Sequence, residues 1–325
     1  MRLEEFLDQS VAAGHTDKDC VSVIRGLSHA AARITALISR NGVAGDLGDE
    51  VGGTNSDGDS QKALDVRAEE VILDSLAGSG AKLLLSEEQQ DPVPVNDGGS
   101  LIVAVDPLDG SSNISVNVTI GTIFSILPDG AVLQNGRAQR AAGFFTYGPQ
   151  TTLVLAFADG GGVACFVFDP ASPDADGGSF VAIETDVSIP EATNEFAINA
   201  AYANHWFPPV QDWMAEILQG KSGPRGKDYR MRWVGSLVAD AWRIFRRGGV
   251  FLYPGDARPG QEEGRLRLVY EANPIAFLAE KAGGKAILGK AAVLDLDPAS
   301  LHQRVPLIFG SAEEVARLEE MHRRQ

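Results

Sequence analysis

Between residues 17 and 40 apolar side chains recur at helical spacing. Cys20, Ile24, Leu27, Ala31, Ile34 and Ile38 share one face, which predicts a long amphipathic helix. Thr16-Asp17-Lys18-Asp19 offers a capping-box-like start and Asn41-Gly42 an end. Residues 44–60 are rich in Gly, Asp, Asn and Ser, too polar to pack, and predict a loop. A second amphipathic helix opens at Asp65, with Ala68, Val71, Ile72 and Leu76 on one face. From 83 to 183 the pattern changes to short apolar runs, broken at Asp129-Gly130, Asn135-Gly136, Gly160-Gly161-Gly162 and Asp176-Gly177-Gly178, and predicts successive strands. A second αβ body begins near Val187, with helices over 212–218 and 238–245 and strands over 249–253 and 266–270. Asn273-Pro274 opens another helix, which Gly283-Gly284 ends. A strand over 305–309 then leads to a final helix behind the capping box Ser311-Ala312-Glu313-Glu314.

Acidic residues gather where apolar strands end. The run 101–105 leads into Asp106-Pro107-Leu108-Asp109-Gly110-Ser111-Ser112-Asn113, and the run 82–85 into Ser86-Glu87-Glu88. Taken alone, the first segment is either an Asx-type turn or a loop that holds a cation and a phosphate together. Asp106 and Asp109 offer hard oxygens suited to Mg²⁺, and the Leu108 carbonyl between them offers another. Gly110 lets backbone approach an anion, with Ser111 and Ser112 supplying hydroxyls. Adjacent carboxylates such as Glu87 and Glu88 repel unless a cation joins them, which favours the metal reading. Asp59 and Asp65 lie upstream as further candidate acids.

The chain has 325 residues, 44% of them hydrophobic, enough for two layered domains or one large body with two sheets. With 28 basic against 44 acidic residues its net charge is −16, which disfavours nucleic acid and anionic membranes as partners. The N-terminus lacks the apolar core of a signal peptide, and no run reads as the ~20 apolar residues of a membrane span, so a cytoplasmic location is expected. Cys20 and Cys165 are far apart, which indicates neither disulfide framework nor zinc site.

The order Lys62-Ala63-Leu64-Asp65-Val66, Leu85-Ser86-Glu87-Glu88, 106–113 and Ile120-Gly121-Thr122-Ile123-Phe124 resembles class I fructose-1,6-bisphosphatase of the bacterial type, within the metal-dependent, lithium-sensitive phosphatase superfamily. The resemblance continues through Arg232-Trp233-Val234-Gly235-Ser236, Ala239-Asp240, the stretch 249–254, Leu266-Arg267-Leu268-Val269-Tyr270-Glu271-Ala272-Asn273-Pro274 and His302-Gln303-Arg304-Val305-Pro306. It implies an α/β (α+β layered) sugar-phosphatase fold of alternating helices and sheets in two domains, 1–186 and 187–325, with the active site between them. Glu87, Glu88, Asp106, Asp109, Glu271 and the Leu108 carbonyl would hold about two to three Mg²⁺ or Mn²⁺ ions. Glu88, Asp65 and Asp59 would activate water, and Gly110, Ser111 and Ser112 would carry the 1-phosphate.

The resemblance places Asn199, Tyr202, Trp233, Tyr253, Arg265 and Arg267 on the substrate side, near a basic run of Arg225, Lys227, Arg230 and Arg232. Arg232 matches an arginine that reaches the neighbouring subunit's site, which implies a homo-oligomer, by analogy a tetramer. Trp233 stands where the family usually has tyrosine, and Arg265 where lysine is usual, so the distal-phosphate pocket is open to reshaping. Sedoheptulose-1,7-bisphosphate is therefore an alternative or companion substrate. An inositol-type phosphatase and a non-catalytic sugar-phosphate regulator are further readings. Ser100, Leu101 and Pro128 replace the groups with which animal members bind AMP, so insensitivity to AMP is expected.

Overall fold

In a computed structural model of the chain, residues 1–40, 50–54, 60–172 and 178–324 are described, the side chains of 50–54 and 60–62 excepted. Three helices open the chain: α1 (Leu3–Ala12), α2 (Lys18–Ile38) and α3 (Ala63–Leu76). Sequence periodicity missed α1, whose Leu3, Phe6 and Leu7 are buried on the first core. Asp17 rather than Thr16 caps α2, accepting from the Cys20 N–H at 2.8 Å. Among the described residues α2 is long and apolar enough to cross a membrane by length and composition, a match the sequence reading did not make. Its apolar face, from Cys20 through Ile24 to Ile34, joins the core that includes Leu64, Ala68 and Ile72 of α3.

Between α2 and α3, β1 (Glu50–Thr54) pairs antiparallel with β2 (Ser60–Lys62), so part of the expected loop is a hairpin; residues 41–49 and 55–59 lie outside the described set. Eight strands then form one sheet: β3 (Ala81–Ser86), β4 (Val93–Pro94), β5 (Leu101–Asp109), β6 (Ile120–Pro128), β7 (Ala141–Tyr147), β8 (Thr151–Phe157), β9 (Gly160–Asp169) and β10 (Ser179–Glu184). Their order is β10-β9-β8-β7-β6-β5-β3-β4, antiparallel except where β3 runs parallel to β5. β5, β7 and β8 are buried along their whole length, which explains why their sequences read as continuous apolar runs rather than alternating ones: the sheet is covered on both faces.

The second half adds β11 (Glu195–Ala197), α4 (Pro208–Leu218), β12 (Arg230–Met231), α5 (Leu237–Arg247), β13 (Val250–Tyr253), β14 (Leu266–Arg267), α6 (Asn273–Lys281), β15 (Lys285–Ile287), β16 (Arg304–Val305), β17 (Leu307–Gly310) and α7 (Ala312–Arg323). A five-stranded sheet runs β12-β11-β13-β17-β15, and β14 pairs with β16. Val238 and Ala241 of α5 and Ile275 and Ala276 of α6 share one core with Ile123 and Phe144 of the large sheet and Phe251 and Phe309 of the small one. Trp213 of α4 and Val315 and Leu318 of α7 pack on the other face of the small sheet. The layers therefore alternate helix, sheet, helix, sheet, helix.

Two expectations fail here. Ser311 precedes α7 but makes no side-chain cap, because its hydroxyl takes the Gly249 N–H at 3.2 Å. Glu314, fully buried, accepts instead from Arg225 at 2.6 Å, Tyr229 Oη at 2.5 Å and Trp213 Nε1 at 3.3 Å, with Lys227 at 3.4 Å. Arg225 and Lys227, grouped in the sequence with the substrate-side cations, thus compensate a buried carboxylate. Glu314→Ala would leave these donors and charges buried without it. The expected cost is about 3–5 kcal/mol, read as a lower urea midpoint with an unchanged denaturant slope.

Candidate active site

The acid-bearing end of β5 is shaped by a bulge. Asp106 lies opposite Ile123 and Asp109 opposite Gly121, so β5 spends one residue more than β6. Residues three apart on a regular strand point to opposite faces, and one extra residue returns Asp109 to the face of Asp106. Pro107, with no N–H for the ladder, is tolerated there, and its carbonyl accepts from Thr122 Oγ1 at 2.8 Å. Asp106 Oδ1 accepts from the Leu108 N–H at 2.9 Å.

Asp109 reaches into the second half of the chain. Its carboxylate accepts from Ser236 Oγ at 2.8 Å, Val238 N–H at 3.0 Å and Leu237 N–H at 3.2 Å, meeting the first turn of α5. Gly110 follows at φ +78°, and a Cβ there would lie 2.9 Å from Ser236 Cβ, so both conformation and closeness require glycine. Ser111 and Ser112 open a short 3-10 turn, Ser111–Val116.

Glu271 arrives by an unforeseen route. The predicted strand 266–270 stops at Arg267, and Leu268–Ala272 forms a wide π turn leading into α6. The turn carries Tyr270 inward, where its hydroxyl meets His302 Nδ1 at 2.7 Å, and brings Glu271 Oε2 back onto the Arg267 N–H at 2.5 Å. The largely apolar run over 266–270 suits a strand equally well, which is why sequence alone misassigns it.

Ligand oxygens of Asp106, Asp109 and Glu271 all lie within 4.8 Å of one another, and all three residues are buried. Burial, and then Glu87 and other acids, push Asp106 and Glu271 well above the usual carboxylate range. Burial raises Asp109 against its three hydrogen bonds. Burial also pushes Glu87 up to about 7, with Arg267 pulling the other way and Asp65, buried in the first turn of α3, adding repulsion. Three buried carboxylates with a half-buried fourth beside them, offering only hard oxygens, fit a divalent cation such as Mg²⁺.

A cavity of about 360 Å³ opens beside this cluster. Glu87, Asp109 and Glu271 line it together with Arg265, Arg267 and Arg304, and Asn199 and Tyr253 are also on the lining. Trp233 lies 5.7 Å from Phe251 and nearly parallel to it at 15°, building a flat aromatic wall next to Tyr253. Tyr202 sits outside, in a small adjoining pocket that shares Asn199 and Tyr253. Glu88 is half-buried next to Glu87, with its N–H on Ser86 Oγ at 3.3 Å, but does not line the cavity. Ser111 and Ser112 do not line it either. Arg232 is exposed, its guanidinium on the Met231 carbonyl at 3.2 Å, and points to no described acid of this chain's cavity. Asp59 lies outside the described residues.

Sequence reasoning assigned no role to Arg304 or Ser236. Arg304 reaches the cavity because β16 pairs Arg304 with Arg267 of β14. Nothing local marks it, since the pairing joins segments far apart in the chain. Ser236 caps α5, its hydroxyl accepting from the Ala239 N–H at 3.4 Å, and its bond to Asp109 is a tertiary fact with no local signal.

A cluster of buried acids, beside a cavity that arginines also line and set within alternating layers, is the arrangement of a metal-dependent sugar phosphatase. The chain belongs to the fructose-1,6-bisphosphatase family: residues 3–183 match its N-terminal domain and residues 189–323 its C-terminal domain. It is 49% identical to the class 1 fructose-1,6-bisphosphatase of Azorhizobium caulinodans, over 97% of each chain. The corresponding protein of Acidiphilium cryptum is 46% identical over 100% of this chain and 92% of its own. Leishmania major fructose-1,6-bisphosphatase, solved in its holo form, superposes with a TM-score of 0.89 at 29% identity, covering 100% of this chain and 99% of that one. The family is metal-dependent, in keeping with the acidic cluster.

Proposed function

We propose that this chain hydrolyses fructose-1,6-bisphosphate at the 1-phosphate in a Mg²⁺-dependent reaction, giving fructose 6-phosphate and phosphate. The observation that carries this reading is a cavity lined by both carboxylates and arginines, next to a cluster of buried acids. Glu87, Glu88, Asp106, Asp109, Glu271 and the Leu108 carbonyl would hold about two to three Mg²⁺ or Mn²⁺ ions. Such ions, when bound, offset charge on the phosphate and the departing sugar oxygen and make water more acidic.

The chain's own groups do the rest. Asp65, Glu88 and Asp59 orient the attacking water and take its proton. Gly110, Ser111 and Ser112 offer N–H and hydroxyl donors to the 1-phosphate. Arg267, fixed by its own N–H bond to Glu271, brings a cation next to the acids. Asn199, Tyr202, Tyr253 and Arg265 bind the far end of the sugar, bounded by Trp233, and Arg232 serves the neighbouring subunit of a homo-oligomer, a tetramer by family analogy. In this reading residues 1–186 form one domain and 187–325 the other, in a cytoplasmic enzyme whose two buried thiols play no redox part. Burial pushes Cys20 up to about 11 and Cys165 up to about 12, which supports inert thiols.

Purified protein is expected to release phosphate from fructose-1,6-bisphosphate only with Mg²⁺ or Mn²⁺, and none from fructose 6-phosphate. Release from inositol monophosphate alone would overturn the assignment. The Trp233 wall and Arg265 favour a second reading, in which sedoheptulose-1,7-bisphosphate is also taken; comparable turnover of the two substrates in parallel assays would establish it. AMP is expected to leave the rate unchanged at physiological concentrations. Ser100 is engaged with Asp19 at 2.5 Å and Leu101 is fully buried, so neither offers a nucleotide a charged partner. Cooperative inhibition by AMP would disprove this.

A further inference from the structure

The connection from β13 to β14 leaves the cavity at Tyr253 and returns to it at Arg265. Between them it is fastened to the segment that carries Asn199 and Tyr202. Asp256 and Trp206 form an isolated antiparallel bridge, and the Ala257 N–H donates to the His205 carbonyl at 2.9 Å. Asp256 is buried and grips Arg258 with both oxygens, at 2.8 Å from Nε and 2.7 Å from Nη2, while accepting the Arg258 N–H at 3.0 Å.

So held, the Arg258 guanidinium lies over the Tyr202 ring, 3.5 Å from its centroid. A bidentate carboxylate fixes the plane of a guanidinium, and a fixed plane fixes the ring stacked on it. Tyr202 is a partly exposed residue of a three-residue 3-10 turn, capped by Asn199 through the Ala201 N–H at 3.1 Å, and one side of it packs on the core that includes Trp206 and Leu252. Arg258 and Arg265 both act on Tyr253, opposing the upward push of burial on its phenol, so the cation bears on the cavity end where Tyr202 and Tyr253 meet.

We propose that Arg258 is a positioning residue for the distal phosphate: clamped by Asp256, it holds the Tyr202 ring in place beside Tyr253 and Arg265, where the phosphate that is not hydrolysed binds. This rests on the reading that the cavity takes a sugar bisphosphate. The Asp256-Arg258-Tyr202 stack is a specificity element built from a connecting loop, outside the elements that carry the acids.

The test compares wild-type protein with Arg258→Met and Arg258→Lys on fructose-1,6-bisphosphate and on fructose 1-phosphate, which keeps the scissile group and lacks the distal one. Binding of fructose 6-phosphate is followed by calorimetry. Arg258→Met is expected to raise KM for the bisphosphate about tenfold and to weaken fructose 6-phosphate binding by the same factor. Its kcat, and kcat/KM for fructose 1-phosphate, should stay within about twofold. Arg258→Lys, which cannot stack as a plane, should behave like the methionine variant, and Arg258→Met should add little to Tyr202→Ala. Equal losses on both substrates, or unchanged fructose 6-phosphate binding, would overturn the proposal. Wild-type protein that binds fructose 6-phosphate without turning over the bisphosphate would instead sink the functional reading, leaving the binding comparison to decide the role of Arg258.

Discussion

Asp106→Asn is expected to abolish turnover and, at the same time, to raise the melting temperature of the metal-free protein. Asp106 sits almost fully buried among Glu87, Glu271 and Asp109, each of which pushes its carboxyl upward after burial itself. Asparagine has nearly the same shape and keeps an acceptor for the Leu108 N–H, so the bulge that carries Asp109 survives. What disappears is a carboxyl that, without a cation, must either take up a proton on folding or stay charged among its neighbours. Relief of that cost is worth roughly 1–3 kcal/mol, a few degrees in melting temperature for a chain of this size. Loss of an anionic ligand removes several kcal/mol of charge stabilisation when metal is needed, a fall of about 10³-fold or more in kcat/KM. Melting curves with and without Mg²⁺, beside phosphate-release rates, check both signs. A variant that melts lower without metal, or keeps the wild-type Mg²⁺ shift, would remove Asp106 from the cluster.

The contrast between Asp106 and Glu271 shows what the sequence made legible. Asp106 and Asp109 announce themselves locally: an apolar run, then two acids, a proline and a glycine. That pattern marks the strand end, and the second acidic pair, Glu87-Glu88, favours a metal loop over a plain turn there. The bulge that turns both acids to one face is not written in the pattern, since it follows from how β5 pairs with β6. Glu271 was picked out only through family resemblance, and its π turn was misread as strand, because an apolar stretch ahead of Asn-Pro suits either form. Cations were harder still. Arg225 and Lys227 look like phosphate ligands in a basic run, yet a buried glutamate from the last helix claims them. Arg304 and Arg258 look like surface residues, yet pairing and stacking between distant segments bring them to the site or its edge. Of the acids proposed to meet a metal, Glu87, Glu88, Asp106 and Asp109 come grouped in strand-end motifs; the cavity's arginines and Glu271 are brought in from other segments by tertiary packing.

The same cluster makes stability depend on pH in an uncommon direction. The carboxyl of Glu87, ordinarily at 4.5, is held up to about 7 in the folded chain. Between those values the folded protein keeps a proton that the unfolded chain has released, so stability falls as pH rises through the window and is fully retained below it. For Glu87 alone this amounts to about 3 kcal/mol, and Asp106 and Glu271, raised further by burial, extend the decline upward. A divalent cation reverses the slope. It binds the ionised carboxylates, so its affinity grows as pH rises and its binding releases protons. Metal-free protein is therefore expected to melt lower at about pH 8 than at about pH 6, and the rise in melting temperature on adding saturating Mg²⁺ to be larger at the higher pH. Calorimetric titrations in buffers of different ionisation enthalpy would detect the released protons directly. A metal response that is flat or falling with pH would mean that these carboxylates are already ionised without metal, and that burial among one another does not hold their protons on.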